Sequence, residues 1–94
     1  MFTFPAELTI ANAEQFKEAL LAYQSEESNF SINDEAVVKI DTIGVQLIIG
    51  TLNYLLSLNK TIEWQCKSPV VRESIAKLGV KDPMVLQYLD AQGN

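Results

Sequence analysis

The residues best placed to do chemistry in this 94-residue chain stand side by side, Asp41-Thr42-Ile43-Gly44. They interrupt an apolar run, with "VVKI" before them and "VQLIIG" after. Such a break is where a strand hands over to a helix. A threonine at that boundary has two roles open to it. Its hydroxyl can cap the helix by accepting a bond from a backbone N–H two or three residues on, which contributes ~1 kcal/mol. It can also be phosphorylated, because a helix N-terminus offers free N–H groups and the positive end of the macrodipole. That position tolerates the added charge of about −1.5 to −2.

Little else in the chain suggests chemistry. With no histidine there is no imidazole base, no Ser-His or Cys-His pair and no histidine metal site. One cysteine, Cys66, excludes an internal disulfide and a cysteine cluster. The glycines at 44, 50, 79 and 93 are isolated, so there is no phosphate-cradling loop. The acidic pairs Glu26-Glu27 and Asp34-Glu35 fall between elements and read as solvated turns rather than an acid–base pair. Cys66 shares a strand face with Trp64 and is expected to be an inert buried thiol. No catalytic residue, cofactor or metal is expected.

The net charge is −5 and the seven Lys and Arg are scattered, so no basic footprint for nucleic acid or anionic lipid is present. Hydrophobic residues at 48% and charged residues at 20% fit one globular domain over 1–94. The longest apolar stretch, 45–58, is broken by Gln46, Gly50, Thr51, Asn53 and Ser57, too short and too polar to cross a bilayer. "MFTFPAELTI" lacks the basic region, apolar core and cleavage site of a signal peptide. A cytoplasmic location is expected.

The elements that must position Thr42 are legible. "MFTF" and "ELTI" read as two strands separated by Pro5, and "FSIN", "VVKI" and "TIEWQC" as three more. "NAEQFKEALLAYQ" predicts a helix with Asn12 as N-cap and Gln15 reaching back to it, turning Phe16, Ala19, Leu20 and Tyr23 inward. From Gly44 to about Asn59 a second helix buries Val45, Ile48, Leu52 and Leu55. "SPVVRESIAKLG" predicts a third, with Ser68 as cap, Pro69 at its first position and Gly79 as its stop. "DPMVLQYL" predicts a last short helix capped by Asp82. The strands flanking the second helix are expected to be parallel through a right-handed crossover. The order is α/β.

Beyond its core face the second helix carries Leu47, Thr51, Tyr54 and Leu58, spaced four, three and four. This stripe is either additional core or, if exposed, a ridge for a partner beside Thr42.

With these residues in view, "KIDTIGVQLIIGTLNYLLSLNKTIEWQCKSPVVRESIAKLGV" resembles the core of the STAS domain, named for sulfate transporters and anti-sigma factor antagonists. The diagnostic element is Asp41-Thr42-Ile43-Gly44-Val45 at the strand-to-helix junction. The chain differs from the common pattern at Asn33, at the bulky Ile43, and in having threonine where serine is usual. The resemblance implies a mixed β-sheet of four to five strands with helices packed mainly on one face. It implies a non-catalytic binding role in which a partner kinase, an anti-sigma factor, phosphorylates Thr42. Asp41, Thr42, Ile43, Gly44, Leu47, Thr51, Tyr54 and Leu58 would then form the partner-binding surface. An unmodified subunit of a chemotaxis-type signalling complex, or of a phospholipid-trafficking ABC transporter docked on its ATPase, is the alternative.

Overall fold

Pro5 has no N–H to give to a ladder, and it divides the first extended stretch into β1 (Phe2–Thr3) and β2 (Glu7–Leu8). The segment beside it breaks at the same level, into β3 (Asn29–Asn33) and β4 (Lys39–Ile40). Phe2 faces Ile32 while Glu7 faces Lys39, so the second segment carries two more residues across the break. Hydrogen bonds bracket the gap: Phe4 N–H donates to the Asn33 carbonyl at 2.9 Å, and Val38 N–H to the Ala6 carbonyl at 2.8 Å. The Asn33 side chain accepts the Glu35 N–H at 2.9 Å and turns the chain through the extra residues.

In this computed structural model residues 1–23 and 28–90 are described. The expected turn over 25–29, with its Glu26-Glu27 pair, falls mostly outside them. The last strand, β5 (Thr61–Trp64), joins β1 and β3 in the order β1-β3-β5, and β2 pairs with β4. Every recorded pairing is parallel. The α/β architecture expected from the sequence is present. The strands flanking the second helix, however, are not paired with each other: β4 bonds to β2 and β5 to β3. The break after Asn33 bends β4 out of the three-stranded ladder and leaves β3 as the neighbour of β5.

Among the described residues four α-helices, α1 (Ala13–Ala22), α2 (Thr42–Ser57), α3 (Pro69–Lys77) and α4 (Pro83–Asp90), complete the order. Central among them is α2, which packs on β2, β4 and β5 and against α1 and α3. Its buried arc contains Val45, Ile48, Leu52 and Leu55, as the periodicity predicts. Phe2, Phe4 and Phe16 meet edge to face with centroids 5.5 to 6.0 Å apart, fastening α1 to β1. Ala19, expected inside, is exposed, and α1 reaches the core through Phe16 with Leu20 and Tyr23 half-buried.

The Asn12 cap is a correction. Its side chain accepts no bond from α1 and donates instead to the Glu7 carbonyl at 3.1 Å. A 3-10 turn over Ile10–Asn12 occupies the entry to the helix, so no Gln15 capping box forms. The α3 signals hold: Ser68 Oγ accepts the Val71 N–H, Pro69 starts the helix, and Gly79 closes it at φ +69°. Asp82 Oδ1 accepts the Met84 N–H at 2.9 Å at the start of α4. Arg72 donates to the Cys66 and Leu89 carbonyls, both at 2.7 Å, tying α4 to the end of β5.

A parallel sheet usually has both faces covered. Here the face that carries Ser31, Asn33 and Glu63 is polar instead. Ser31 and Asn33 alternate with buried Phe30 and Ile32, and Ser31 Oγ donates to Glu63 Oε1 across the ladder at 2.9 Å.

Candidate functional site

The local question at the strand-to-helix junction is which residue caps α2, and it is Asp41. Its backbone is still extended at φ −118°, ψ −174°, and its N–H donates to the Leu8 carbonyl at 3.2 Å. Its Oδ1 accepts the Gly44 N–H at 2.8 Å, and its Oδ2 accepts the Ile10 N–H at 3.0 Å. Thr42 is therefore the first residue of α2 rather than its cap. It is exposed, and its hydroxyl makes no hydrogen bond to a described residue. The helix starts two residues earlier than the spacing predicts because an extended Asp41 leaves Thr42 and Ile43 free to take helical angles.

The bond from Ile10 N–H, then that from Gly44, holds the Asp41 carboxyl below the ordinary carboxylate range. A depressed folded value stabilises the fold fully above the unfolded pKa. That contribution is lost as pH falls through the lower folded value.

Gly44 is the close-approach point. It is buried, and a Cβ there would overlap the Leu8 carbonyl oxygen and come within 2.7 Å of Ile40 Cγ1. The start of α2 thus lies against the backbone of β2, which fixes where Thr42 emerges. Ile43 beside it is half-buried.

The stripe along α2 divides. Thr51 is 2% exposed, and its hydroxyl donates to the Leu47 carbonyl at 2.7 Å. This back-bond satisfies the hydroxyl within the helix and lets the side chain turn inward. Thr51 is therefore not a surface residue, contrary to its expected place on the partner ridge. Leu47 is half-buried against the core, while Tyr54 and Leu58 are 39% and 48% exposed. They border a depression of about 330 Å³ shared with Leu20, Leu21 and Tyr23 of the α1 end.

Between Thr42 and Asn59 there is no charged residue, in a chain where 20% of residues are charged. The outward arc of α2 is Thr42, Gln46, Gly50, Asn53 and Ser57, all exposed. A solvated helix face ordinarily carries charge. The arrangement offers a neutral surface with one free hydroxyl at its end and three large exposed apolar side chains, Tyr54, Leu56 and Leu58, along it. No cluster of three or more His, Cys, Asp or Glu that could hold a metal ion occurs among the described residues. A larger depression, about 610 Å³, lies over the outer side of β3 and β5, and none of residues 41–44 lines it.

Residues 1–90 match the family model of the STAS domain. The chain belongs to the STAS domain family. Membership places it among regulatory and binding domains. No curated protein matches the chain.

Two residues of this STAS domain escaped the sequence reading. Ile10 is 68% exposed on the 3-10 turn, and its N–H donates to Asp41, the residue before Thr42. Asp34, expected in a solvated turn, is fully buried, and it accepts the Lys67 and Ser68 N–H groups at 2.9 and 3.3 Å. Ser68 Oγ donates in turn to the Val37 carbonyl at 2.8 Å, so the break between β3 and β4 is clipped to the start of α3. The Asn33 departure is thus followed immediately by a carboxylate that does the joining.

Cys66 is fully buried, and burial first, then the hydrogen bond with the Asp34 side chain and its charge, push its thiol up to about 12. Native protein at pH 8 is expected to resist a thiol-labelling reagent, with labelling proceeding only through unfolding. Fast labelling of the native chain, read by mass, would contradict that placement.

Proposed function

We propose that this STAS domain is a partner-switching regulator without catalysis of its own, acting as a single domain in the cytoplasm. Its unmodified form binds a kinase of the anti-sigma factor kind through Asp41, Thr42, Ile43, Leu47, Tyr54 and Leu58, with Gly44 setting the helix against β2. Phosphorylation of Thr42 releases the partner. The observation that carries the reading is the exposed Thr42 hydroxyl, freed from capping because Asp41 performs it.

The energetics suit a switch. A neutral docking surface becomes strongly anionic on modification, at a helix N-terminus that tolerates the charge without unfolding. Desolvating that charge against a partner is unfavourable, and every ~1.4 kcal/mol lost lowers affinity tenfold. In pull-downs from native cells, Thr42→Glu and Leu58→Glu are each expected to weaken capture of the partner by about 100-fold, or ~2.7 kcal/mol, and Thr42→Ala to retain it. Intact mass of the native protein is expected to show a fraction heavier by one phosphate. Absence of that fraction under every growth condition, together with wild-type capture by Thr42→Glu, would overturn the switch. If Leu58→Glu still abolished capture, the surface would belong to a constitutive subunit of a larger assembly, a chemotaxis-type complex or an ABC transporter.

A further inference from the structure

We infer that Asp41 is a relay, and that phosphate on Thr42 breaks the hydrogen bond Asp41 accepts from Ile10 and so releases the Ile10–Asn12 turn. The inference rests on the phosphorylation reading above and adds a structural consequence to it.

The turn is weakly held. None of its three residues is buried. Its remaining hydrogen bonds are local: Asn12 N–H to the Thr9 carbonyl at 3.0 Å, Asn12 Nδ2 to the Glu7 carbonyl at 3.1 Å, and Ala13 N–H to the Ile10 carbonyl. Among the described residues, the only hydrogen bond tying it to a distant part of the chain is the one to Asp41 Oδ2 at 3.0 Å.

The same carboxylate holds Gly44 N–H through its other oxygen at 2.8 Å. It can serve both donors in one orientation only. A phosphate on Thr42, the adjoining residue, competes for the first-turn donors of α2 and repels the carboxylate. Protonation offers no relief near neutral pH, because the Asp41 carboxyl is held below the ordinary range. Rotation away from the dianion is left, and it gives up Ile10. Since Ile10 is 68% exposed and bonded to Asp41, the residue before Thr42, its release then shifts an exposed apolar side chain as the modification changes the charge.

The test uses the full chain with phosphothreonine installed at position 42 by codon expansion, compared by NMR with the unmodified chain and with Asp41→Asn. In the phosphorylated chain the Ile10 amide is expected to exchange about tenfold faster and to lose its carboxylate-bonded shift. The Val45 and Ile48 amides should be unchanged. Asp41→Asn should reproduce the faster Ile10 exchange without phosphate, and if that variant does not fold, the phosphorylated chain alone decides. An Ile10 amide equally protected with and without phosphate would overturn the relay. Because the phosphate is installed rather than added by a kinase, the result is independent of whether any kinase acts on Thr42. A relay that works in a protein never phosphorylated in cells would sink the switch alone.

Discussion

Gly44→Ala is expected to destabilise the domain by ~3 kcal/mol or more, the upper part of the range for forcing an atom into a packed interior. For a domain of this size that lowers Tm by roughly 10 to 25 °C. The sign is informative because helix propensity predicts the reverse. Alanine is the better helix former by about 1 kcal/mol, and Gly44 lies in the first turn of α2. What opposes it is the backbone of β2: the added methyl would overlap the Leu8 carbonyl oxygen and sit 2.8 Å from its carbon. A carbonyl in a strand cannot swing aside as a flexible side chain can, so α2 must lift away from β2. Lifting it disturbs Val45 and Ile48, both essentially sealed. Gly50 is the internal control. It is exposed, and a Cβ there would meet nothing within 4 Å. Gly50→Ala is therefore expected to stabilise by about 0.5 to 1 kcal/mol. Urea denaturation of both variants checks the pair, and equal stability of the two would refute the close approach of α2 to β2.

Asp34→Ala is expected to lower stability by about 3 kcal/mol, since one buried and one part-buried donor lose a charged acceptor and a small void is left. The carboxylate joins the end of β3 to Lys67 and Ser68, the residues that lead into α3. Asp34→Asn should recover less than half of the loss. An amide oxygen can accept one of the two N–H groups, but its NH2 then points at the other, donor against donor. Denaturation midpoints for the three proteins test this, and an asparagine variant as stable as the parent would show that one bond suffices. The Cys66 thiol gives a second readout. Without the neighbouring charge its pKa should fall, because the Asp34 carboxylate is one of the two leading causes of its elevation.

These residues also show where sequence reasoning succeeded and where it stopped. The α3 helix was readable from local chemistry alone, since Ser68, Pro69 and Gly79 act on backbone groups within a few residues of themselves. The core face of α2 was readable because burial recurs at the helical period, and Val45, Ile48, Leu52 and Leu55 all follow it. The cap of α2 was not. Asp and Thr are both good N-cap residues, and the choice between adjacent positions depends on how far β4 stays extended. That is set by the bond from Asp41 N–H to Leu8, over thirty residues away in the chain. Asp34 was misread for the same reason: its partners, Lys67 and Ser68, lie equally far along the sequence.

The spacing of Leu47, Thr51, Tyr54 and Leu58 placed them on one side of α2, and period alone could go no further. The four lie at the margin of the buried arc, where the position of neighbouring elements decides each side chain separately. Thr51 falls inside and Tyr54 and Leu58 outside. The chain by itself determined the α/β order, the helix ends with local signals, and the Asp41-Thr42-Ile43-Gly44 junction with its family. The tertiary structure alone decided that Asp41 caps, that Thr42 is left free, and that the Ile10 N–H bonds to Asp41. Local preferences act over a few residues, whereas a cap or a boundary of burial is fixed by whatever backbone the fold brings against it.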